Sequence, residues 1–167
     1  MIFSASAIMS DPLPIPLPGR DPSVYMHSAY RMACAAASAG EVPVGAVIVH
    51  GGAIIARAHN QIEALHDPTA HAEMIAITQA AEHLQSKILT GAAIYVTLEP
   101  CPMCAMALVL AKVDRVIFAT PDPRTGAGGS IYNILQDPRL NHRVEIDSGL
   151  MQAECGDLLK EFFRARR

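Results

Sequence analysis

Two rhythms of apolar residues run along this chain. Residues 42–50 are β-branched and almost unbroken in their apolar character, the pattern of a strand buried on both faces. Gly51-Gly52 then marks a hairpin turn, and 54–58 reads as the return strand. Residues 92–98 and 113–119 repeat the strand pattern, and 143–146 is a shorter one. Between them the spacing turns helical. Asp21-Pro22, an N-cap followed by proline, opens a helix to about Ala39, with Gly40 as its stop. Asp67-Pro68 repeats that signal ahead of a helix over 69–85, with His71, Met74, Ile75, Ile77, Thr78, Ala81 and Leu84 inside it. Pro102 starts a helix to about Ala111, and 151–165 is a final amphipathic helix.

Strands that alternate with single helices imply βαβ units, hence a largely parallel sheet covered on both faces. The opening hairpin makes that sheet mixed. Residues 1–20 break the pattern, because Pro12, Pro14, Pro16 and Pro18 alternate with other residues. Such a segment favours an extended path and cannot nucleate a helix. The expected organisation is a proline-rich flexible tail, 1–20, and one domain, 21–167.

Composition narrows the class. With 167 residues, 51% of them hydrophobic and 17% charged, the chain is no disordered polymer and can bury a core without disulfides. Its four cysteines do not make a disulfide scaffold. The longest charge-free stretch, 42–56, is 15 residues, short of the ~20 that span a bilayer. No Lys or Arg precedes Arg20, so the start lacks the positive end of a secretory signal. A cytoplasmic protein with no membrane association is expected. The net charge is -3, but residues 112–167 carry 9 basic against 8 acidic groups, with Lys160, Arg164, Arg166 and Arg167 near the end. A basic tail can lie on phosphates, or can simply complement a helix dipole.

Two short patterns carry chemistry. His71-Ala72-Glu73 opens one predicted helix, and Pro100-Cys101-Pro102-Met103-Cys104 joins a strand to another. His71, Cys101 and Cys104 make a three-ligand zinc set, which leaves a fourth position open. Helix N-termini favour thiolate over thiol, so Cys101 and Cys104 are well placed. Glu73 lies two residues beyond His71, about 200° around a regular helix, and so suits a non-ligand role as proton carrier. Cys-Pro-Met-Cys taken alone also fits a thiol redox motif. His-x-Glu followed by Pro-Cys-x-x-Cys, each at a helix start, is the signature of zinc deaminases. Cys34 and Cys155 read as small core residues. The stretch Asp122–Ser130 lacks the Gly-Lys-Ser/Thr of a phosphate loop, so no NTP site is expected.

The residues that carry a wider resemblance run from about Tyr25 to Arg167. They are Glu41-Val42-Pro43-Val44-Gly45-Ala46, Asp67 through Glu73, Thr97 through Cys104, Asp122 through Ser130, Asn141 through Glu145, and Glu154-Cys155 through Phe162-Phe163-Arg164 to Arg166-Arg167. In these blocks the chain resembles the cytidine deaminase superfamily and, more closely, the bacterial tRNA-specific adenosine deaminases. The resemblance implies a three-layer α/β/α fold with a mixed, mostly parallel five-stranded sheet and helices on both faces. It also implies hydrolysis of adenosine to inosine at the wobble position of the tRNA anticodon, one Zn2+ per chain, and a homodimer that meets the anticodon stem-loop. By position, His71, Cys101 and Cys104 would bind zinc and Glu73 would shuttle protons. Asn60 would hydrogen-bond the flipped base or its sugar. Asp122 and Arg124 would hold the anticodon backbone, and Phe163, Arg166 and Arg167 would pack on flanking nucleotides. His59 stands where the family often has an aromatic residue, and Pro121 where it often has a basic one. A free guanine or cytosine deaminase shares the metal blocks and is the alternative, as is a non-enzymatic zinc module. Asn60 could also just cap a turn, and Phe163 could face the core.

Overall fold

The first ordered turn follows the sequence closely. Asp21 accepts a hydrogen bond from Ser23 N–H at 2.9 Å, and Pro22 occupies the first helical position of α1 (Pro22–Ser38). The computed structural model describes residues 21–166. The proline-rich segment 1–20 and Arg167 lie outside the described residues.

A hairpin comes next, β1 (Gly45–His50) against β2 (Ala53–His59), turned at Gly51-Gly52 as the sequence indicates. The chain continues through a one-turn helix α2 (Ile62–Leu65), α3 (Ala72–Leu84), β3 (Ala92–Leu98), α4 (Pro102–Leu110), β4 (Arg115–Thr120), β5 (Glu145–Ser148) and α5 (Gln152–Arg164). The five strands form one mixed sheet in the order β2-β1-β3-β4-β5. β1 is antiparallel to both its neighbours, while β3, β4 and β5 are parallel. The connection β2-α3-β3 therefore strides over β1 and returns in the same direction.

Successive strand residues point to opposite faces. Ala46, Ile48, Ile94, Val96, Val116 and Phe118 pack under α3 and α4. Val47, Val49, Ala93, Tyr95, Ile117 and Ala119 pack with Tyr25, Met26 and Ala29 of α1 and Cys155 of α5. The result is the expected three layers. Fully burying each Val, Leu or Ile contributes roughly 1.5–3 kcal/mol. α1 lies so close to β1 that a Cβ on Gly45 would meet the backbone of Ala29 and Ala33, so glycine is required there. Cys155 is a core residue at 1% exposure, whereas Cys34 on α1 is only half-buried.

Three expectations shift. The first strand begins at Gly45 rather than 42, because Pro43 cannot donate to the ladder. The last strand is 145–148, two residues later than its apolar pattern suggested. Asp67-Pro68 does not open a helix at 69. The Asp67 side chain accepts from Thr69 N–H and its hydroxyl at 2.8 and 2.7 Å, and so closes a local turn. The helix starts at Ala72, and α2 fills the preceding loop. Among the described residues no helix is long and apolar enough to cross a membrane.

Candidate active site

α3 and α4 begin side by side on one face of the sheet, and each begins with a candidate ligand. His71 is the N-cap of α3 and Cys101 the N-cap of α4. Neither side chain makes a capping hydrogen bond, so imidazole and sulfur are directed elsewhere. Both residues are extended, with ψ of 152° and 170°, and His71 thus stands just ahead of the helix rather than in its first turn. That removes the angular conflict with Glu73 posed by a regular helix. Cys104, three positions into α4, is fully buried.

The donor atoms converge. His71 Nδ1 lies 3.5 Å from Cys104 Sγ and 3.7 Å from Cys101 Sγ, and all three ligand atoms fall within 4.8 Å of one another. A tetrahedral zinc with ordinary Zn–N and Zn–S bonds would hold nitrogen and sulfur about 3.6 Å apart. The spacing fits such an ion, and one imidazole with two sulfurs is a soft set that suits it.

Electrostatics in the cluster follow from crowding. Cys101 is pushed down to about 4, first by the hydrogen bond from the Cys104 thiol and then by its contact with His71. Cys104 is raised, because its thiol donates to Cys101 and is buried. His71 is raised, chiefly by Cys101. Glu73 is 3% exposed, and burial pushes it up to about 7. Its carboxyl also feels His71 and the two cysteines. Glu73 lies beside the triad without belonging to it.

The other expected residues are placed unequally. Asn60 is buried, and its Oδ1 accepts from Ala72 N–H at 2.9 Å, which satisfies the first turn of α3 between His71 and Glu73. Asp122 spends both carboxylate oxygens within its own loop, accepting from Arg124 N–H and the Thr125 hydroxyl, each at 2.8 Å. Arg124 is exposed. Phe163 is 49% exposed, so the core reading of that residue fails; its ring meets Phe162 edge-on at 5.4 Å. Arg166 donates to Gly40 O at 2.8 Å and lies 3.8 Å above the Phe162 ring. Its guanidinium already has partners within the chain.

Two buried carboxylates received no role from the sequence. Glu41 accepts from Glu63 and Ala64 N–H, at 3.2 and 2.9 Å, and so caps α2. Glu99 gathers the 122–130 loop. In each case a lone acidic residue beside an apolar strand was the available signal.

A family model of MafB19-like deaminases matches residues 20–167. A tRNA-specific adenosine deaminase of Bacillus subtilis (strain 168) is 49% identical over 144 residues, covering 86% of this chain and 89% of that protein. The chain belongs to the tRNA-specific adenosine deaminase family. A solved tRNA:A34 deaminase matches this deaminase with a TM-score of 0.80 at 40% identity, over 82% of this chain and 99% of the other. A guanine deaminase from Bacillus subtilis is less similar, with a TM-score of 0.59 at 38% identity over 61% of this chain and 66% of that one. The neighbour's fold agrees with the five-stranded mixed sheet seen here.

Proposed function

We infer that this deaminase hydrolyses adenosine to inosine at the wobble position of a tRNA anticodon. Water enters, ammonia leaves, and the amino-bearing carbon of the purine becomes a carbonyl. The observation that carries the reading is the convergence of His71, Cys101 and Cys104 beside a buried, non-ligating Glu73, in a chain half identical to a tRNA-specific adenosine deaminase.

Each residue then has a task. His71, Cys101 and Cys104 would hold one zinc ion per chain. Such an ion supplies a water made acidic enough to attack at neutral pH, its pKa lowered from ~15.7 to ~7. Glu73 accepts a proton on its carboxylate as the attack proceeds and returns one to the departing amino nitrogen. Its raised proton affinity suits both halves of that exchange. Asn60 has committed Oδ1 to Ala72, so its amide NH2 is the part left for the base or sugar. Arg124 offers a solvated guanidinium to phosphate, and Phe163 offers a ring face to a flanking base. Asp122 shapes the loop that presents Arg124. Arg166, and Arg167 beyond it, add positive charge near the end of α5.

The reading includes a cytoplasmic homodimer. The support for the dimer is a stripe on α4: Met103 and Ala107 are half-buried and Leu110 is 68% exposed, at helical spacing, although the opposite face of α4, with Met106, packs on the core.

The test is direct. Zinc-loaded protein incubated with an anticodon stem-loop carrying adenosine at the wobble position should yield inosine there. Turnover of free guanine or cytosine, with none on the stem-loop, would transfer the assignment to the free-base enzymes.

A further inference from the structure

Glu99 follows the last residue of β3 and precedes Pro100 and Cys101. Its side chain is 2% exposed, yet four donors converge on it. Oε2 accepts from Asp122 N–H at 2.9 Å and from the Ser130 hydroxyl. Oε1 accepts from Gly128 N–H at 2.9 Å and Ser130 N–H at 3.1 Å. The backbone tightens the same wrap, since Ala127 N–H donates to Pro100 O at 2.8 Å, and Ile131 and Tyr132 N–H both reach Gly126 O at 3.0 Å. A Cβ on Gly126 would run into the Glu99 carboxyl and the Asp122 carbonyl. The loop from Asp122 to Tyr132 is thus wound around one carboxylate, while most of its own side chains face solvent.

Hydrogen bonds to a buried carboxylate are stronger than neutral ones, and removing the acceptor strands several donors at once. We propose that Glu99 is a positioning residue, which fixes the loop bearing Asp122 and Arg124 against the Cys101 turn and so sets affinity for the RNA strand around the target base. Glu99 touches neither RNA nor ion; it acts through the loop. The inference rests on the tRNA reading above. It accounts for an acidic residue two positions from a ligand that makes no contact with the triad.

Glu99→Gln keeps the shape and replaces one oxygen by NH2. Whichever way the amide turns, a donor then faces the N–H of Asp122 or those of Gly128 and Ser130. The full-length, zinc-loaded variant should keep wild-type metal content. Its KM for an anticodon stem-loop should rise about 10-fold or more, while kcat stays within about 3-fold. Amide hydrogen exchange over 122–132 should quicken. Gly126→Ala, which crowds the same carboxylate without removing it, should move KM the same way. Ser130→Ala loses the hydroxyl but retains the backbone donor, and should raise KM by a smaller factor, about 2- to 5-fold.

An unchanged KM in folded Glu99→Gln overturns the proposal. So does a loss of metal and kcat at constant KM, which would make the carboxylate a support for the zinc turn alone. If Glu99→Gln does not fold, Ser130→Ala decides by the same criterion. Wild-type protein that forms no inosine refutes the function and the proposal together, whereas wild-type turnover with an unmoved variant KM refutes the proposal only.

Discussion

Glu73 separates ligand from acid–base roles at the level of a single side chain. It lies outside the donor triad but is buried against one of its sulfurs. Glu73→Gln should therefore retain one zinc per chain by elemental analysis and lose about 10²- to 10⁴-fold in single-turnover inosine formation. Metal loss in parallel with activity would make it a ligand. Asn60 divides differently: Oδ1 serves Ala72 N–H, and the NH2 is the end proposed for the substrate. Asn60→Asp keeps an acceptor for Ala72 N–H and removes the NH2 donor. It should melt near wild type but raise KM. Asn60→Ala loses both, and should also cost about 1 kcal/mol of stability, as lost helix caps do. Thermal denaturation beside steady-state kinetics distinguishes the two. His71, Cys101 and Cys104 were legible in the sequence because ligand chemistry demands fixed spacings. A capping use of Asn60 was among the readings, but its partner, Ala72 N–H, is a backbone group brought to it only by the tertiary fold. Asp122 was marked for the RNA, yet both its oxygens serve Arg124 and Thr125, which agrees with the alternative reading of 122–130 as a glycine-rich turn.

The helices show how local signals compete. Asp21-Pro22 and Asp67-Pro68 look alike, but the first opens a helix and the second closes a turn. The residue two positions on does not separate them, since Ser23 donates to Asp21 as Thr69 does to Asp67; what differs is that His71 N–H turns back to Thr69 O at 2.7 Å, where a helix would send it to Asp67 O. With Asp67 engaged there, α3 takes its cap from Asn60 instead. This shift frees His71 from helical geometry. α4 carries a second lesson. Its buried residues Cys104, Ala105, Leu108 and Val109 face the core, while the stripe ending in Leu110 faces away. Leu110→Glu should leave the melting temperature of the monomer little changed and convert the proposed dimer to monomer in sedimentation velocity. A wild-type protein that sediments as a monomer would refute the dimer reading. The strand positions were legible from β-branched runs, but their order was not. That β1 ends between β2 and β3 depends on a crossover whose path no periodicity records.

Across the whole molecule, net charge is modest and acidic, -3, and the basic groups collect in the second half. Affinity for an anticodon then comes from local contacts and loop shape rather than a global field. An anticodon loop is already unpaired, so extracting a base costs less than from a duplex. A bound ion would also contribute to the stability of the whole domain. His71 and the two cysteines join α3 to α4, and any ligand that binds the folded state alone raises stability by mass action. Stripping zinc with a chelator should lower the melting temperature, and adding it back should restore both melting temperature and turnover. An unchanged melting curve would mean that the two helices hold their places without it.

The triad is also divided along the chain by β3. Its imidazole comes before that strand and its sulfurs after, with the exposed Gln85–Ile88 turn between them. A backbone nick in that turn would leave one piece with the nitrogen and the other with both sulfurs, neither holding the full set of three donors. Reuniting them requires β3 to zip into register beside β1, Ala46 opposite Val96 and His50 opposite Ala92. Nitrogen joining the two sulfurs around one metal in a mixture of the pieces would then report, through one atom, that the central seam of the sheet had closed.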